Sequence, residues 1–527
     1  MLRKALLLGA AMMAVPALAA GPATPAPNAD SVTNGTVTVN GATIPYRAVA
    51  GTILVHGADY NDSGDILAKR GTKLDGGKDD DSKNAPVASM FYTAYFKEGV
   101  PAEKRPITFL YNGGPGSASV WVHMGTFGPR RVNTPGDTHL PAAPYALINN
   151  PQSLLDVSDV VFIDAPGTGF SRIAGKDADK EFLGVDGDGE AFTHFISKFL
   201  AKYHRYNSPK YLFGESYGTM RSAVVINDLE QDENIDFNGV ILLSQILNYD
   251  NSDDSPQFNA GVADPYELAL PTYAATAWYH HCLPAEHPDL KAFLHEVEHF
   301  AMTDYTLALR QGADLPEDQR QAIAAKLHDY TGLPVDYILR ADLRVNGGEF
   351  DQQLQAKTGM ATGRLDTRYS SPTIDPMSQE VDYDPQSSAI SSAYVTVFND
   401  YVRNTLKYGT DEDYRLYNSQ GHWDSHHHQP GRGYQPKGEP NVMTDLAMAM
   451  KTNPNLHVML NAGYYDLATP YFEGVYEMKH LPMPNSLQKN IEYAQYTSGH
   501  MVYVDPATLQ QLHDNVAAFI RRTDNLH

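Results

Sequence analysis

The chain has little of several features that define large classes of protein. Among its 527 residues there is a single cysteine, Cys282, so no disulfide can form within the chain and stability has to come from packing. We interpret this thiol, at the end of a predicted helix, as a buried or incidental group rather than a nucleophile. No apolar run reaches the roughly 20 residues that a membrane-spanning helix needs.

Positive charge is also scarce. The chain has 40 lysine and arginine residues against 63 aspartate and glutamate residues, which gives a formal net charge of −23. So acidic a surface repels phosphate backbones, and the sequence has no basic run that could bind them. We therefore expect no nucleic-acid partner.

The N-terminal segment predicts export. Met1–Lys4 is basic, an apolar stretch follows from Ala5 to Val15, and Ala17-Leu-Ala19 fits a cleavage site of the A-x-A type. We predict a signal peptide over residues 1–19 and a linker over 20–35. The mature chain is then expected in the periplasm or the medium, without stable membrane insertion. A permanent N-terminal anchor is the alternative, and the shortness of the apolar stretch disfavours it.

Short, almost continuous apolar runs predict the centre of the fold. Such runs are typical of strands buried on both faces, as in a largely parallel sheet covered by helices. Two alternating segments, 36–60 and 86–98, predict antiparallel edge strands. The six central strands are predicted at 107–111, 160–163, 211–213, 239–243, 457–460 and 491–496.

The strand pattern is interrupted between about 256 and 435. Helical spacing appears there at 272–281, 289–312 and 316–330. The chain also exceeds the roughly 250–300 residues at which a single core stops growing. We predict an α/β core over 36–255 and 436–527, with a mostly helical lid inserted over 256–435.

One short motif points to a nucleophile. Gly214-Glu-Ser-Tyr-Gly218 follows a predicted strand and precedes a helix, which is the setting of the G-x-S-x-G nucleophile elbow. The glycines let the chain turn sharply, so that the Ser216 hydroxyl projects at a helix N-terminus. The N–H of Tyr217 can then stabilise an oxyanion. A plain glycine-rich turn is the alternative.

A serine nucleophile needs a base and a residue that orients the base. Asp466 and His500 each lie just beyond a predicted strand, in the chain order Ser…Asp…His that is typical of α/β-hydrolases. Gly113 and Gly114 follow an earlier strand, where their N–H groups can approach a ligand closely. We therefore predict an α/β-hydrolase fold with a serine nucleophile and no cofactor or metal.

Five motifs together resemble the serine carboxypeptidase family (peptidase family S10), in the order found in that family. They are Asn112-Gly-Gly-Pro-Gly116, Val160–Ser171, Gly214–Gly218, Gly463-Tyr-Tyr-Asp466 and Gly499-His-Met-Val502. The resemblance implies a carboxypeptidase that works through an acyl-enzyme, with Ser216, Asp466 and His500 as its triad.

The same resemblance implies two binding functions. The N–H groups of Gly114 and Tyr217 would form the oxyanion hole. Asn112, the N–H of Gly113 and Glu215 would bind the substrate's terminal carboxylate, so the expected partners are peptides with a free C-terminus. Glu215 can hydrogen-bond a carboxylate only if one of the two groups carries a proton.

The chain departs from the common family pattern at four places. Leu110 stands where many members have tryptophan, and Ser117 where many have cysteine. Tyr464 replaces a frequent aspartate, and Tyr503 replaces a frequent proline. These changes resemble bacterial branches of the family and bear on substrate preference more than on the type of reaction.

Two histidine-containing segments could indicate a metal site instead. His295-Glu-Val-Glu-His299 matches H-E-x-x-H, which on a helix can bind zinc and use Glu296 as the base of a metallopeptidase. A solvated helix face is the interpretation we favour, because the motif carries a second acid at Glu298 and has no obvious third ligand. An exposed loop is likewise favoured over a metal site for the histidine cluster, which consists of His422, His426, His427 and His428.

Two other functions are compatible with the same fold. An esterase or acyltransferase could use the same triad with another substrate or acceptor. A binding protein with an inactive site belongs to a different class. The presence of Ser216, Asp466 and His500 together argues against an inactive site.

Overall fold

A computed structural model gives the structure of the protein over residues 29–57, 86–134, 136–418, 423–430 and 439–526. The predicted signal peptide and His422 lie outside these ranges. The first strand begins at Ser31, inside the range predicted as a linker. No helix in the described ranges is long and apolar enough to cross a membrane.

The strands were predicted well because buried runs and alternating runs are strong local signals. All six central strands form where the sequence predicts them, and the two edge segments also form strands. In chain order the strands are β1 Ser31–Val39, β2 Ala42–His56, β3 Val87–Lys97, β4 Ile107–Tyr111, β5 Arg130–Val132, β6 Leu147–Asn149, β7 Asp159–Ile163, β8 Arg172–Ala174, β9 Lys210–Ser216, β10 Gly239–Gln245, β11 Met360–Thr362, β12 Ser370–Pro372, β13 His457–Gly463 and β14 Ile491–Tyr496.

One mixed sheet of ten strands runs through the described residues, in the order β1-β2-β3-β7-β4-β9-β10-β13-β14, with β8 paired to β3. Strands β1 to β3 are antiparallel, and β3 pairs antiparallel with β7. From β7 to β14 every pairing is parallel. The parallel part is the part that the apolar runs predicted.

Helices cover both faces of the sheet. Helices α3, α4 and α12 share one apolar cluster with the sheet, and α1, α11 and α14 share another on the opposite face. The helices are α1 Val120–Gly125, α2 Ala178–Phe182, α3 Val185–Lys202, α4 Tyr217–Gln231, α5 Asp264–Tyr279, α6 Leu290–Phe300, α7 Thr306–Gln311, α8 Glu317–Thr331, α9 Val335–Arg340, α10 Gly347–Gln353, α11 Pro385–Asn404, α12 Met443–Thr452, α13 Tyr471–Lys479 and α14 Pro506–Thr523.

The predicted lid range contains two kinds of packing. Helices α5 to α10 contribute most of a third apolar cluster, which continues into the turn after β13 through Tyr464 and Tyr465. Helix α11 packs instead against the sheet side with α1, through residues such as Ile390 and Tyr394. The range 256–435 therefore supplies both a separate helical layer and part of the core.

The sheet gathers the predicted site residues at one edge. Asn112 follows β4, Ser216 ends β9, Asp466 follows β13 and His500 follows β14. These four strands run parallel, so their carboxyl ends point to the same edge, where open α/β sheets bind their ligands.

Candidate active site

Ser216 lies in a strained turn between β9 and α4. Its backbone has φ 62° and ψ −133°, a conformation that non-glycine residues rarely adopt and that costs on the order of 1–3 kcal/mol. The flanking glycine is required by space, because a Cβ on Gly214 would lie 2.1 Å from the carbonyl oxygen of Gly218. The local sequence thus folds as the predicted elbow and leaves Tyr217 at the first turn of a helix, where N–H groups lack helical acceptors.

Asp466 and His500 are in contact. His500 Nδ1 and Asp466 Oδ2 are 2.8 Å apart, and the aspartate is fully buried. The other oxygen, Oδ1, accepts the N–H of Ala468 at 2.9 Å and that of Thr469 at 3.0 Å. The Thr469 hydroxyl donates to Oδ2 at 2.8 Å. This set of bonds fixes the carboxylate and directs one oxygen at the imidazole.

Most of the predicted site residues share one cavity of about 320 Å³. Asp466 lies behind His500, and Tyr217 follows Ser216 in the chain. The cavity is lined by six of the eight residues, namely Asn112, Gly113, Gly114, Glu215, Ser216 and His500.

The glycine-rich turn after β4 packs directly on the elbow. A Cβ on Gly113 would lie 2.4 Å from the nitrogen of Tyr217, so only glycine fits at this position. Gly114 has φ 110°, a conformation open to glycine and to few other residues. The two glycines thereby bring backbone N–H groups of this turn and of the elbow to the same region.

Glu215 is a buried acid beside the nucleophile. Its side chain is almost wholly enclosed, and burial raises its pKa to about 7, although His500 and the nearby Tyr503 hydroxyl oppose the shift. Its Oε2 is buried and has no hydrogen-bond partner among the described residues. The Tyr503 hydroxyl also lacks a hydrogen bond of good geometry among the described residues, although it lies near enough to Glu215 to lower the pKa of that carboxyl. A buried polar atom without a partner is costly, and a group bound in the cavity could supply one for Glu215.

Asn112 is held firmly through its backbone and its side-chain oxygen. Its carbonyl accepts Arg221 Nη1 at 2.6 Å, and its Oδ1 accepts the N–H of Val122 at 2.9 Å. These contacts leave the amide hydrogens on Nδ2 for the nearby Tyr503 hydroxyl or for a group in the cavity.

The pKa of His500 depends on two neighbouring carboxyl groups. Burial alone would lower its pKa, but the carboxyl groups of Asp466 and Glu215 raise the pKa above the usual 6.5. Protonation of Glu215 removes one of these two negative neighbours. The protonation states of Glu215 and His500 are therefore linked.

A buried ion pair beneath the site, Arg221 with Asp188, was not predicted from the sequence. Arg221 donates to both oxygens of Asp188, at 2.6 and 3.2 Å, and it lies over the rings of Phe192 and Tyr217. Burial disfavours both charges, but the contact with Asp188 is strong enough to raise the pKa of Arg221. No local pattern identifies the pair, because its members lie on different helices.

The H-E-x-x-H motif at residues 295–299 is arranged differently from a metal site. His295 is exposed over 87% of its side chain and lies 3.7 Å from Glu298. Glu296 accepts the Tyr330 hydroxyl at 2.8 Å and pairs with Lys326 at 3.4 Å, so its carboxylate is bound to the neighbouring helix α8. Within the described ranges, no group of three or more histidine, cysteine, aspartate or glutamate residues could hold a metal ion.

The prediction for the second histidine cluster is wrong at one residue. His426 and His428 are exposed, as predicted for a loop. His427, however, is buried between Asp186 and Asp445, with ring nitrogens 2.6 and 2.9 Å from their carboxylates. Burial disfavours the charge, but the two carboxylates raise the pKa of His427 to about 10. No local pattern in the sequence links His427 to these partners, because Asp186 is 241 residues away and Asp445 lies on a separate helix.

Comparison with known proteins identifies the family. The family model described as serine carboxypeptidase matches residues 81–526. The chain belongs to the serine carboxypeptidase family. This family member is 28% identical to serine carboxypeptidase-like 36 of Arabidopsis thaliana over 180 residues, which cover 32% of this chain and 34% of that protein.

A second relative of this family member is pheromone-processing carboxypeptidase KEX1 of Yarrowia lipolytica. The two are 30% identical over 142 residues, which cover 26% of this chain and 21% of KEX1. The aligned region thus spans about a third or less of the length of these curated relatives.

A solved structure shares the fold of this serine carboxypeptidase family member. The crystal structure of the prohormone-processing carboxypeptidase Kex1(delta)p from Saccharomyces cerevisiae matches with a TM-score of 0.52 and 15% identity, covering 90% of this chain and 91% of that one. The predicted α/β-hydrolase fold, a largely parallel sheet flanked by helices, is confirmed.

Proposed function

We propose that the protein is a serine-type carboxypeptidase that hydrolyses the last peptide bond of peptides with a free C-terminus. The observation that carries this proposal is the buried, partly unpaired Glu215, which adjoins Ser216 and lines the same cavity as Asn112 and His500. A carboxyl group with a pKa of about 7 can hold the proton that a second carboxylate needs in order to bind.

The chemistry follows from the triad. The Oγ atom of Ser216 attacks the scissile carbonyl while Nε2 of His500 removes its proton. Asp466 holds the imidazole through a hydrogen bond with Nδ1. The N–H groups of Gly114 and Tyr217 stabilise the oxyanion. His500 then protonates the departing amine, and water hydrolyses the acyl-enzyme by the same route in reverse.

The strand order supports a direction for the bound peptide. Strands lie in the order β4, β9, β10, which places Asn112, Ser216 and Ile246 successively along the edge of the sheet. The terminal carboxylate would lie near Asn112, the scissile bond at Ser216 and the rest of the peptide towards Ile246 and Tyr249. Both of the latter residues line the cavity.

We expect a peptide with a free C-terminal carboxylate to be cleaved about 10- to 100-fold faster, in kcat/KM, than its amidated twin. The amide leaves Asn112, Gly113 and Glu215 imperfectly paired, and a buried unpaired polar group costs about 1–3 kcal/mol. The measurement is the rate of release of the C-terminal residue, followed by mass spectrometry.

The matched control is Glu215→Ala. This change removes the carboxyl group and should bring the two rates together, mainly by slowing the free acid. Equal rates on both peptides in the wild type, or cuts inside the chain, would contradict the proposal and favour an esterase or an endopeptidase.

We further expect peptide hydrolysis to peak at a mildly acidic pH and ester hydrolysis nearer neutrality. Peptide binding needs a proton on Glu215, whose pKa is about 7, so KM for the free acid rises as the pH passes above that value. At low pH both substrates lose kcat, because His500 must be neutral to accept the Ser216 proton. Protonation of Glu215 lowers the pKa of His500 and so extends peptide hydrolysis to lower pH.

Measuring kcat and KM between about pH 4 and about pH 9 on a free-acid peptide and on an ester tests this expectation. Glu215→Gln supplies an N–H donor without a titrating proton, so it should remove the alkaline rise in KM for the peptide. A single pH profile for both substrates in the wild type would mean that Glu215 does not control carboxylate binding.

We also propose that the protein acts outside the cytoplasm, in the periplasm or the medium. Support comes from the basic and apolar segment at residues 1–19. Fractionation of the producing cells, with N-terminal sequencing of the mature chain, tests both the location and the cleavage after Ala19.

A further inference from the structure

A short segment of the insertion, residues 364–369, lies between the turns that carry Asp466 and His500. His500 N–H donates to the carbonyl of Leu365 at 2.7 Å, and Leu467 N–H donates to that of Arg364 at 3.0 Å. Both catalytic turns are thus hydrogen-bonded to one stretch of backbone, which we call the bridging segment. From the sequence, this stretch is predicted only as part of the lid.

Two side chains of the bridging segment form a buried ion pair. Arg368 donates to Asp366 through Nε at 2.9 Å and through Nη2 at 2.7 Å. Asp366 is fully buried, and the side chain of Arg368 is 7% exposed. Although burial disfavours its charge, contact with Asp366 raises the pKa of Arg368, which therefore remains a cation.

The ion pair holds the three residues that precede His500. Arg368 Nη1 donates to the carbonyl of Thr497 at 3.0 Å, and Nη2 donates to the Ser498 hydroxyl at 3.1 Å. The N–H of Gly499 donates to Asp366 Oδ2 at 3.2 Å. Every residue from Thr497 to Gly499 is therefore bonded to one member of the pair.

Close packing adds to these bonds. A Cβ on Gly499 would lie 2.4 Å from the Cβ of Asp366, so only glycine allows the two segments to approach. A Cβ on Gly463 would lie 2.2 Å from the carbonyl of Ser498. The turns after β13 and β14 and the bridging segment therefore have little room to shift relative to each other.

We propose that Asp366 and Arg368 are positioning residues, which fix the turn Thr497–Gly499 and so keep the His500 imidazole aligned between Asp466 and Ser216. The proposal rests on the triad of the proposed function. A plain stabilising pair would affect folding alone, whereas a positioning pair affects the rate of attack by Ser216. A displacement of about 1 Å in a reacting group can cost on the order of 10²-fold in rate.

The test compares Asp366→Asn and Arg368→Gln with a control pair of similar burial. Arg105 and Asp159 are 3.0 Å apart and buried at the opposite, amino end of β4 and β7. Asp159 also pairs with Arg205 at 2.6 Å, so Arg105→Gln leaves this carboxylate with one partner. The variant should lower the melting temperature without touching the site. The readouts are kcat and KM on a chromogenic ester, the rate of inactivation by a sulfonyl fluoride, and the folded fraction by circular dichroism.

We expect both bridging variants to lose about 10- to 100-fold in kcat and in inactivation rate per folded molecule, with KM within about threefold. Arg105→Gln should keep kcat within about twofold of the wild type. Arg368→Lys keeps the charge but not the planar fork, so its kcat should fall between those of Arg368→Gln and the wild type. If Arg368→Gln fails to fold, Arg368→Lys and Asp366→Asn still decide the question.

Unchanged kcat per folded molecule in the bridging variants, or an equal loss in Arg105→Gln, would overturn the proposal. The ester and the sulfonyl fluoride need only the triad, so these readouts do not depend on exopeptidase activity. A wild type that hydrolyses the ester but releases no C-terminal residue would instead count against the proposed function alone.

Discussion

Ser216→Ala should lower kcat/KM by on the order of 10³-fold or more and leave the protein folded. The substitution removes the nucleophilic oxygen and nothing else. Alanine keeps the Cβ, so the strain at φ 62° neither rises nor falls, and the packing of α4 on the sheet is unchanged. The measurement is kcat/KM on a free-acid peptide, together with the melting temperature.

Covalent labelling provides the control for Ser216→Ala. A sulfonyl fluoride should modify the wild type at Ser216, which mass spectrometry of a digest can locate, and should leave the alanine variant unlabelled. A chelator should leave wild-type activity unchanged. Near-full peptidase activity in Ser216→Ala would contradict the serine mechanism. Loss of activity on chelation, with recovery on adding zinc, would favour a zinc site at His295, Glu296 and His299.

Asp466→Asn should lower kcat by on the order of 10³- to 10⁴-fold, with little change in KM. The reason lies in the bonds of the carboxylate. Oδ1 accepts two backbone N–H groups, so the amide oxygen of asparagine will occupy that place and its NH₂ group will face His500. The imidazole must then accept a hydrogen bond at Nδ1 and carry its proton on Nε2, where it cannot take the proton of Ser216.

Thr469→Val is the matched control for this prediction. It removes the hydroxyl that donates to Asp466 Oδ2 but keeps the carboxylate and its bond to His500. The loss should be far smaller than for Asp466→Asn in the same kcat assay. If Asp466→Asn keeps kcat within about tenfold of the wild type, the carboxylate does not set the tautomer of His500.

The sheet was predictable because its strands are marked by local patterns. The run at 107–111 is apolar except at Thr108 because β4 is buried on both faces, and the observed bounds are the predicted ones. The elbow at Ser216 was predictable for a similar reason, since Gly214 is required by a backbone contact with Gly218, four residues later.

The buried ion pairs next to the site were not predictable from local patterns. Arg221 with Asp188, and Arg368 with residues 497–499, are contacts between segments far apart in the chain. Such contacts leave no periodicity, and a buried charge looks like any surface charge in the sequence. The prediction for His427 was wrong because its burial depends on carboxylates of α3 and α12 that no local pattern links to it.

The raised pKa of Glu215 also needed the structure. From the sequence, its place beside Ser216 and the family resemblance suggested contact with a carboxylate. That the residue is enclosed, and that Oε2 lacks a partner among the described residues, depends on how the turn after β4 packs on the elbow. Burial of this kind is a property of the assembled fold.

The order of the strands along the chain affects when activity can begin during synthesis. Ser216 ends β9, whereas Asp466 and His500 follow β13 and β14, close to the last helix α14. A growing chain that has left the ribosome only as far as the insertion holds a nucleophile without its base. The bridging segment, too, lacks its hydrogen-bond partners until the turns after β13 and β14 have been made. The catalytic set that we propose is therefore complete only after both of these later turns have been synthesised.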